Sequence, residues 1–105
     1  MTFAERVYAI VRRIPKGKVT TYKEIGLEMN SRGYRAIGQA LRCNPYAPVV
    51  PCHRVVASDG SIGGFMGSRA AREIENKKRM LNEEGVVIMD GRIDLGKYLY
   101  KSSKI

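Results

Sequence analysis

Histidine is almost missing from this chain, which holds one, His53, in 105 residues. A structural zinc centre needs several imidazoles and thiolates at close spacing, and one histidine with two cysteines offers no such pattern, so no metal is expected. Cys43 and Cys52 do not make the disulfide framework of a small secreted fold either. No long apolar run and no basic helix with a wide apolar face are present, which argues against a membrane span or a membrane-surface binder. No signal peptide is recognisable, so a reducing intracellular compartment is expected, where a free thiol persists. Repeats and linkers are absent, and 105 residues leave room for one core and one domain. Acidic residues are scarce as well: 10 Asp and Glu stand against 19 Lys and Arg, for a formal net charge of +9. That surplus fits a polyanionic partner, nucleic acid before membrane, although a merely soluble basic surface has the same composition.

What is present reads in order along the chain. Thr2-x-x-Glu5 forms a capping box ahead of Phe3, Val7, Ile10, Val11 and Ile14, which recur at helical spacing until Pro15-Lys16-Gly17-Lys18 ends the pattern. Val19-Thr20 reads as a short strand. Thr21-x-x-Glu24 is a second capping box, opening a helix to about Asn30. After the turn Asn30-Ser31-Arg32-Gly33, a third helix runs from Tyr34 to about Cys43, and the pair makes a helix-turn-helix. On the third helix Ile37 and Leu41 share a face with Ala36 and Ala40, while Arg35, Gln39 and Arg42 fall toward the other. Gly38 weakens this helix by about 1 kcal/mol relative to alanine, which points to a close approach by a neighbouring helix or by DNA. The loop 44–48 leads to Val49-Val50. Val55 to Ile62 reads as a hairpin through Asp59-Gly60, and Val86 to Leu95 as a second through Asp90-Gly91. Between them, Ser68 caps a helix reaching Glu84, with Gly85 as its stop, and the lysine-rich tail from Lys97 is expected to fray.

The chemistry centres on Pro51-Cys52-His53-Arg54-Val55-Val56. Thiols attack as thiolates, and His53 and Arg54 are the neighbours that would favour the ionised form of Cys52. Pro51 would fix the entry and the valines the exit. The residues alone leave a second reading open, in which Cys52 is a small buried hydrophobe, as free cysteines often are. In an extended strand the thiol and imidazole would point to opposite faces, so the pair works only if the backbone turns or a water bridges them.

Pro51-Cys52-His53-Arg54-Val55-Val56 resembles the active-site signature of the alkylguanine-DNA alkyltransferases, repair proteins that move an alkyl group from guanine oxygen to their own cysteine. The likeness continues through Tyr34-Arg35-Ala36-Ile37-Gly38-Gln39-Ala40-Leu41-Arg42, Asn44-Pro45 and Asn82-Glu83-Glu84-Gly85, in the family's order. It implies a hydrogen-bonded chain of Cys52, a water, His53 and Glu84, although by spacing alone Glu84 is a solvated helix-end residue no different from Glu83. It also implies that Tyr22 contacts the flipped base and adjacent phosphate, and that Asn44 braces the hinge after the recognition helix. Arg35 would enter the base stack as a finger, with Thr21, Tyr22, Gly38, Gln39, Ala40 and Arg42 lying along the DNA. Val50, Pro51, Phe65, Met66 and Gly67 would join Tyr22 around the base, Met66 and Phe65 standing where the family often has a small hydroxyl residue and a tyrosine. The implied fold is α/β and mostly helical, a winged-helix-like DNA-binding domain with a helix-turn-helix and small β-hairpins over residues 1–105, without the family's amino-terminal domain.

The partner so implied is double-stranded DNA carrying alkylated guanine, bound from the minor groove by a monomer, without a cofactor and wherever DNA is kept, cytoplasm, nucleoid or nucleus. Three functions follow. The first is single-turnover alkyl transfer to Cys52, with Cys43 passed over because it lacks a flanking imidazole. The short length also resembles the alkyltransferase-like proteins, non-enzymatic sensors that pass lesions to excision-repair proteins and typically carry tryptophan where Cys52 stands. The third is a helix-turn-helix regulator whose cysteine is structural.

Overall fold

A computed structural model describes residues 1–63 and 71–100. Helix α1, Phe3–Arg12, opens on the capping box: Thr2 Oγ1 accepts from the Glu5 amide and the Glu5 carboxylate accepts from the Thr2 amide. Strand β1, Thr20–Thr21, leads directly into α2, Tyr22–Met29, where Thr21 Oγ1 caps the helix by accepting from the Glu24 amide. Asn30 ends α2 in the left-handed region at φ 53°, a conformation that asparagine tolerates better than most residues. Helix α3, Tyr34–Arg42, completes the helix-turn-helix. A 3-10 turn, Cys52–Arg54, runs into β2, Val55–Val56. Then come α4, Ala71–Glu83, the strands β3, Ile88–Met89, and β4, Arg92–Ile93, and the short α5, Leu95–Tyr98.

Two apolar clusters organise these elements. The first gathers Val7 and Val11 of α1, Ile25 and Met29 of α2, and Ile37 and Leu41 of α3, with Val50, Cys52 and Val55. The second gathers Val19, Val56, Ile62, Leu81, Val86, Ile93 and Tyr98. β2 lies on the seam, giving Val55 to one cluster and Val56 to the other.

Two expectations are corrected here. Val55-Val56 does not pair back on Ser61-Ile62; it lies parallel to β1, with Thr20 opposite Val55 and Thr21 opposite Val56. An apolar pair buried on both faces suits a parallel pairing better than a half-solvated hairpin. The turn itself forms, with the Ala57 amide donating to Ser61, and Ser61 then bridges to Arg92. The expected second hairpin is present between β3 and β4, where Asp90 and Gly91 take φ of 53° and 74°, the two positive values a tight hairpin turn requires. The tail expected to fray from Lys97 is held as far as Tyr100, and residues 101–105 lie outside the described residues. Tyr98 is buried, and the Val19 amide and carbonyl bond Tyr98 and Tyr100 on either side of a Val19–Leu99 bridge. The aromatic anchor outweighs the charge of Lys97, whose ammonium lies 5.3 Å from the Tyr98 ring centroid. The Ser68 cap lies outside the described residues. No described helix is long and apolar enough to cross a membrane.

Candidate active site at the seam

The backbone turns at Cys52. The 3-10 turn places the thiol and imidazole on a tight bend rather than on opposite faces of a strand. Asn44 braces its entry: Nδ2 donates to the Val50 carbonyl at 2.9 Å, and Oδ1 accepts from the Tyr46 amide at 2.9 Å. Cys52 retains 7% exposure and His53 3%. Burial pushes the Cys52 thiol up, while a hydrogen bond from Asn44 and the Lys77 ammonium pull it down.

Glu84 reaches this turn because of how α4 ends. Gly85, at φ +90°, lets its amide bond the Asn82 carbonyl and the Val86 amide bond Leu81, with Leu81 and Val86 in the same cluster, the hydrogen-bond pairing of a Schellman stop. This stop makes Glu84 the cap residue, part-buried, and leaves Glu83 exposed. His53 Nε2 donates to Glu84 Oε2 at 3.0 Å, which leaves Nδ1 as the basic nitrogen. Burial pushes the His53 pKa down, against the upward pull of Glu84, and Arg54 and Lys77 add to the decrease. Arg54, expected to favour the thiolate directly, directs its guanidinium to Glu84 and Ile14. Its Nε donates to Glu84 Oε1 at 2.9 Å and Nη2 to Oε2 at 2.7 Å, while Nη1 takes the Ile14 carbonyl at 2.7 Å. A carboxylate with two matched acceptors is a better partner for a planar guanidinium than a single sulfur.

Lys77 is a residue that the sequence reading missed. It is 1% exposed and donates to the carbonyls of Val55 at 2.7 Å and Ile62 at 2.6 Å. The available signal was its place between Ile74 and Leu81 on the apolar stripe of α4.

The helix-turn-helix residues divide. Arg35, Gln39 and Arg42 are exposed on α3. Among the described residues nothing lies within 4 Å of where a Cβ on Gly38 would stand, so no described helix explains this glycine. Tyr22 is half-buried against the first cluster at the start of α2, next to Thr21, which pairs with Val56. Three expected contact residues face inward instead. Ala40 is buried with its carbonyl accepting from the Tyr8 hydroxyl at 2.7 Å, because a helix presents i and i+3 or i+4 to the same core. Thr21 is 3% exposed and its hydroxyl is committed to the α2 cap. Val50 is wholly buried, and its carbonyl accepts from Asn44 Nδ2 and from the Cys52 amide. Pro51 is buried beside Cys52, Cys43 is exposed at the end of α3, and Phe65, Met66 and Gly67 lie outside the described residues.

Residues 2–86 match the DNA-binding domain of the 6-O-methylguanine DNA methyltransferases. The chain is 49% identical over 86 residues to a methylated-DNA–protein-cysteine methyltransferase of Sulfolobus acidocaldarius, covering 82% of this chain and 51% of that protein. It spans about half the length of most of the curated relatives it matches. Among solved structures, S. pombe Atl1 in complex with damaged DNA containing O6-carboxymethylguanine superposes with a TM-score of 0.82 at 33% identity, over 95% of both chains. The O6-methylguanine-DNA methyltransferase of Pyrococcus kodakaraensis superposes at 0.68 and 40% identity, over 82% of this chain and 47% of that one.

Proposed function

The chain belongs to the 6-O-methylguanine DNA methyltransferase family, and from that premise we propose that Cys52 takes the alkyl group from the exocyclic oxygen of an alkylated guanine in DNA, once per molecule. The observation that carries this reading is the His53–Glu84 hydrogen bond, with His53 on the same 3-10 turn as the thiol. The Cys52 proton passes to His53 Nδ1, by way of a water, and Glu84 supports the imidazolium that results. The thiolate sulfur then bonds the saturated carbon of the lesion as the carbon–oxygen bond breaks. The electron pair leaves on guanine, which hydrogen bonds or a proton from Tyr22 help to discharge. The product is a thioether that water does not hydrolyse under mild conditions, so each molecule is consumed.

The lesion must leave the base stack to reach a nearly buried thiol, at a cost of a few kcal/mol. Exposed Arg35 on α3 is the side chain to fill the gap, and Gly38, with no described residue within 4 Å of its Cβ position, lets DNA approach the helix backbone from the minor-groove side. The net charge of +9 supplies phosphate attraction, so affinity should fall steeply with salt.

A second reading, a lesion sensor that binds alkylguanine without transfer and hands it to excision-repair proteins, draws on the likeness to S. pombe Atl1 over 95% of both chains. The thiol at position 52 favours transfer. Incubation with a duplex bearing O6-methylguanine, followed by intact mass measurement, separates them: a gain of one methyl supports transfer, and lesion-selective binding with unchanged mass supports the sensor.

A further inference from the structure

We propose that Arg54 is a positioning residue whose guanidinium keeps Glu84 ionised and aimed at His53, and which ties that arrangement to the loop after α1. This deepens the reading of Cys52 as acceptor by naming what sets its base.

The geometry is specific. Glu84 caps the C-terminal end of α4, where the carbonyl ends of the helix disfavour a negative charge. A carboxylate there, with a side chain only 12% exposed, takes up a proton readily unless a cation holds it. Arg54 holds both oxygens, and His53 shares Oε2 with it. Burial pushes Glu84 up, but the hydrogen bonds from Arg54 and then His53 outweigh it and leave the carboxyl below its ordinary value. With Oε1 fixed by Arg54, rotation of the carboxylate away from the imidazole is blocked.

The third donor reaches further. Arg54 Nη1 bonds the Ile14 carbonyl, and in the same loop Gly17, at φ +90°, packs so that a Cβ would stand 3.3 Å from the Glu84 carbonyl. The loop after α1, the acceptor turn and the end of α4 therefore meet at Arg54. Among the described residues, Lys77, from within α4, donates to the Val55 and Ile62 carbonyls, and Lys18 donates to the Lys97 carbonyl.

Arg54→Met should slow transfer roughly ten- to a hundredfold, part of what a well-placed base contributes, while affinity for lesion DNA stays within about twofold. In carbon-labelled protein the Glu84 carboxyl titration should move up by about one pH unit or more, and the acid limb of the transfer rate should move with it. Arg54→Lys, which keeps the charge but not the paired donors, should fall between, and carries the test if the methionine variant does not fold. Adding Arg54→Met to Glu84→Gln should lower transfer less than about threefold further. Wild-type transfer by Arg54→Met, additive losses in the double variant, or affinity falling in step with rate would overturn the proposal, the last by making Arg54 a phosphate contact. If the wild-type chain transfers nothing, the acceptor reading fails, and the Glu84 titration still decides the role of Arg54.

Discussion

The two apolar clusters hold different kinds of site residue. The first, built by α1, α2 and α3, carries the exposed arginines of α3 on its outside and buries Cys52 in its wall. The second, built by α4 and the β3–β4 hairpin, supplies Glu84 and Lys77. His53 and Arg54 stand on the turn between them. In the proposed mechanism one half finds the lesion and holds the nucleophile, and the other makes the nucleophile reactive. A substitution on the exposed face of α3 should change binding, and one at Glu84 should change rate.

The largest expected effect comes from the seam itself: Cys52→Ser should abolish transfer in the mass assay while lesion binding, measured by fluorescence anisotropy, persists. Glu84→Gln should lower the transfer rate on the order of 10²–10³-fold with binding kept, since the imidazole loses its anionic partner; equal loss of binding would break the division of labour. Lys77→Met should destabilise the second half by roughly 3 kcal/mol in urea unfolding, because two buried carbonyls lose their donor at about 1–3 kcal/mol each. Hydrogen exchange in that variant should rise in α4 and β2 before α1. Gly17→Ala should cost about 1–3 kcal/mol by the same urea measurement, a side chain being forced into a left-handed conformation against the Glu84 carbonyl.

The smallest effect concerns pH. His53 has a folded pKa below its ordinary 6.5, so the unfolded chain binds the extra proton first and stability falls as pH drops below that value. Glu84, also depressed, adds a second loss below its ordinary 4.5. Urea midpoints should therefore be flat, for these two groups, above about pH 6.5 and decline in two stages below it; a midpoint that rises on acidification would contradict the buried neutral imidazole.

Much of this fold is legible in one sequence because its signals are local. The capping residues Thr2 and Thr21, the Asp90-Gly91 turn and the Gly85 stop each act within a few residues, and each forms where expected. Contacts remote in sequence are less accessible. Nothing near Val55 announces that its backbone partner is Thr20, and nothing near Arg54 distinguishes a cation beside a thiol from one gripping a carboxylate 30 residues away. Burial misleads at Thr21, Ala40 and Val50, where a position beside a functional residue does not place the side chain on the same surface. Lys77 was overlooked because a charged residue in a helix is read as solvated, although its neighbours on the stripe are apolar.

The most direct test of the central claim is to expose the chain to excess O6-methylguanine duplex, count the methyl groups gained and map them by peptide mass. The account predicts saturation at one methyl per chain, on Cys52, with the more exposed Cys43 unmodified. No gain, a gain on Cys43, or repair of more than one lesion per chain would contradict it.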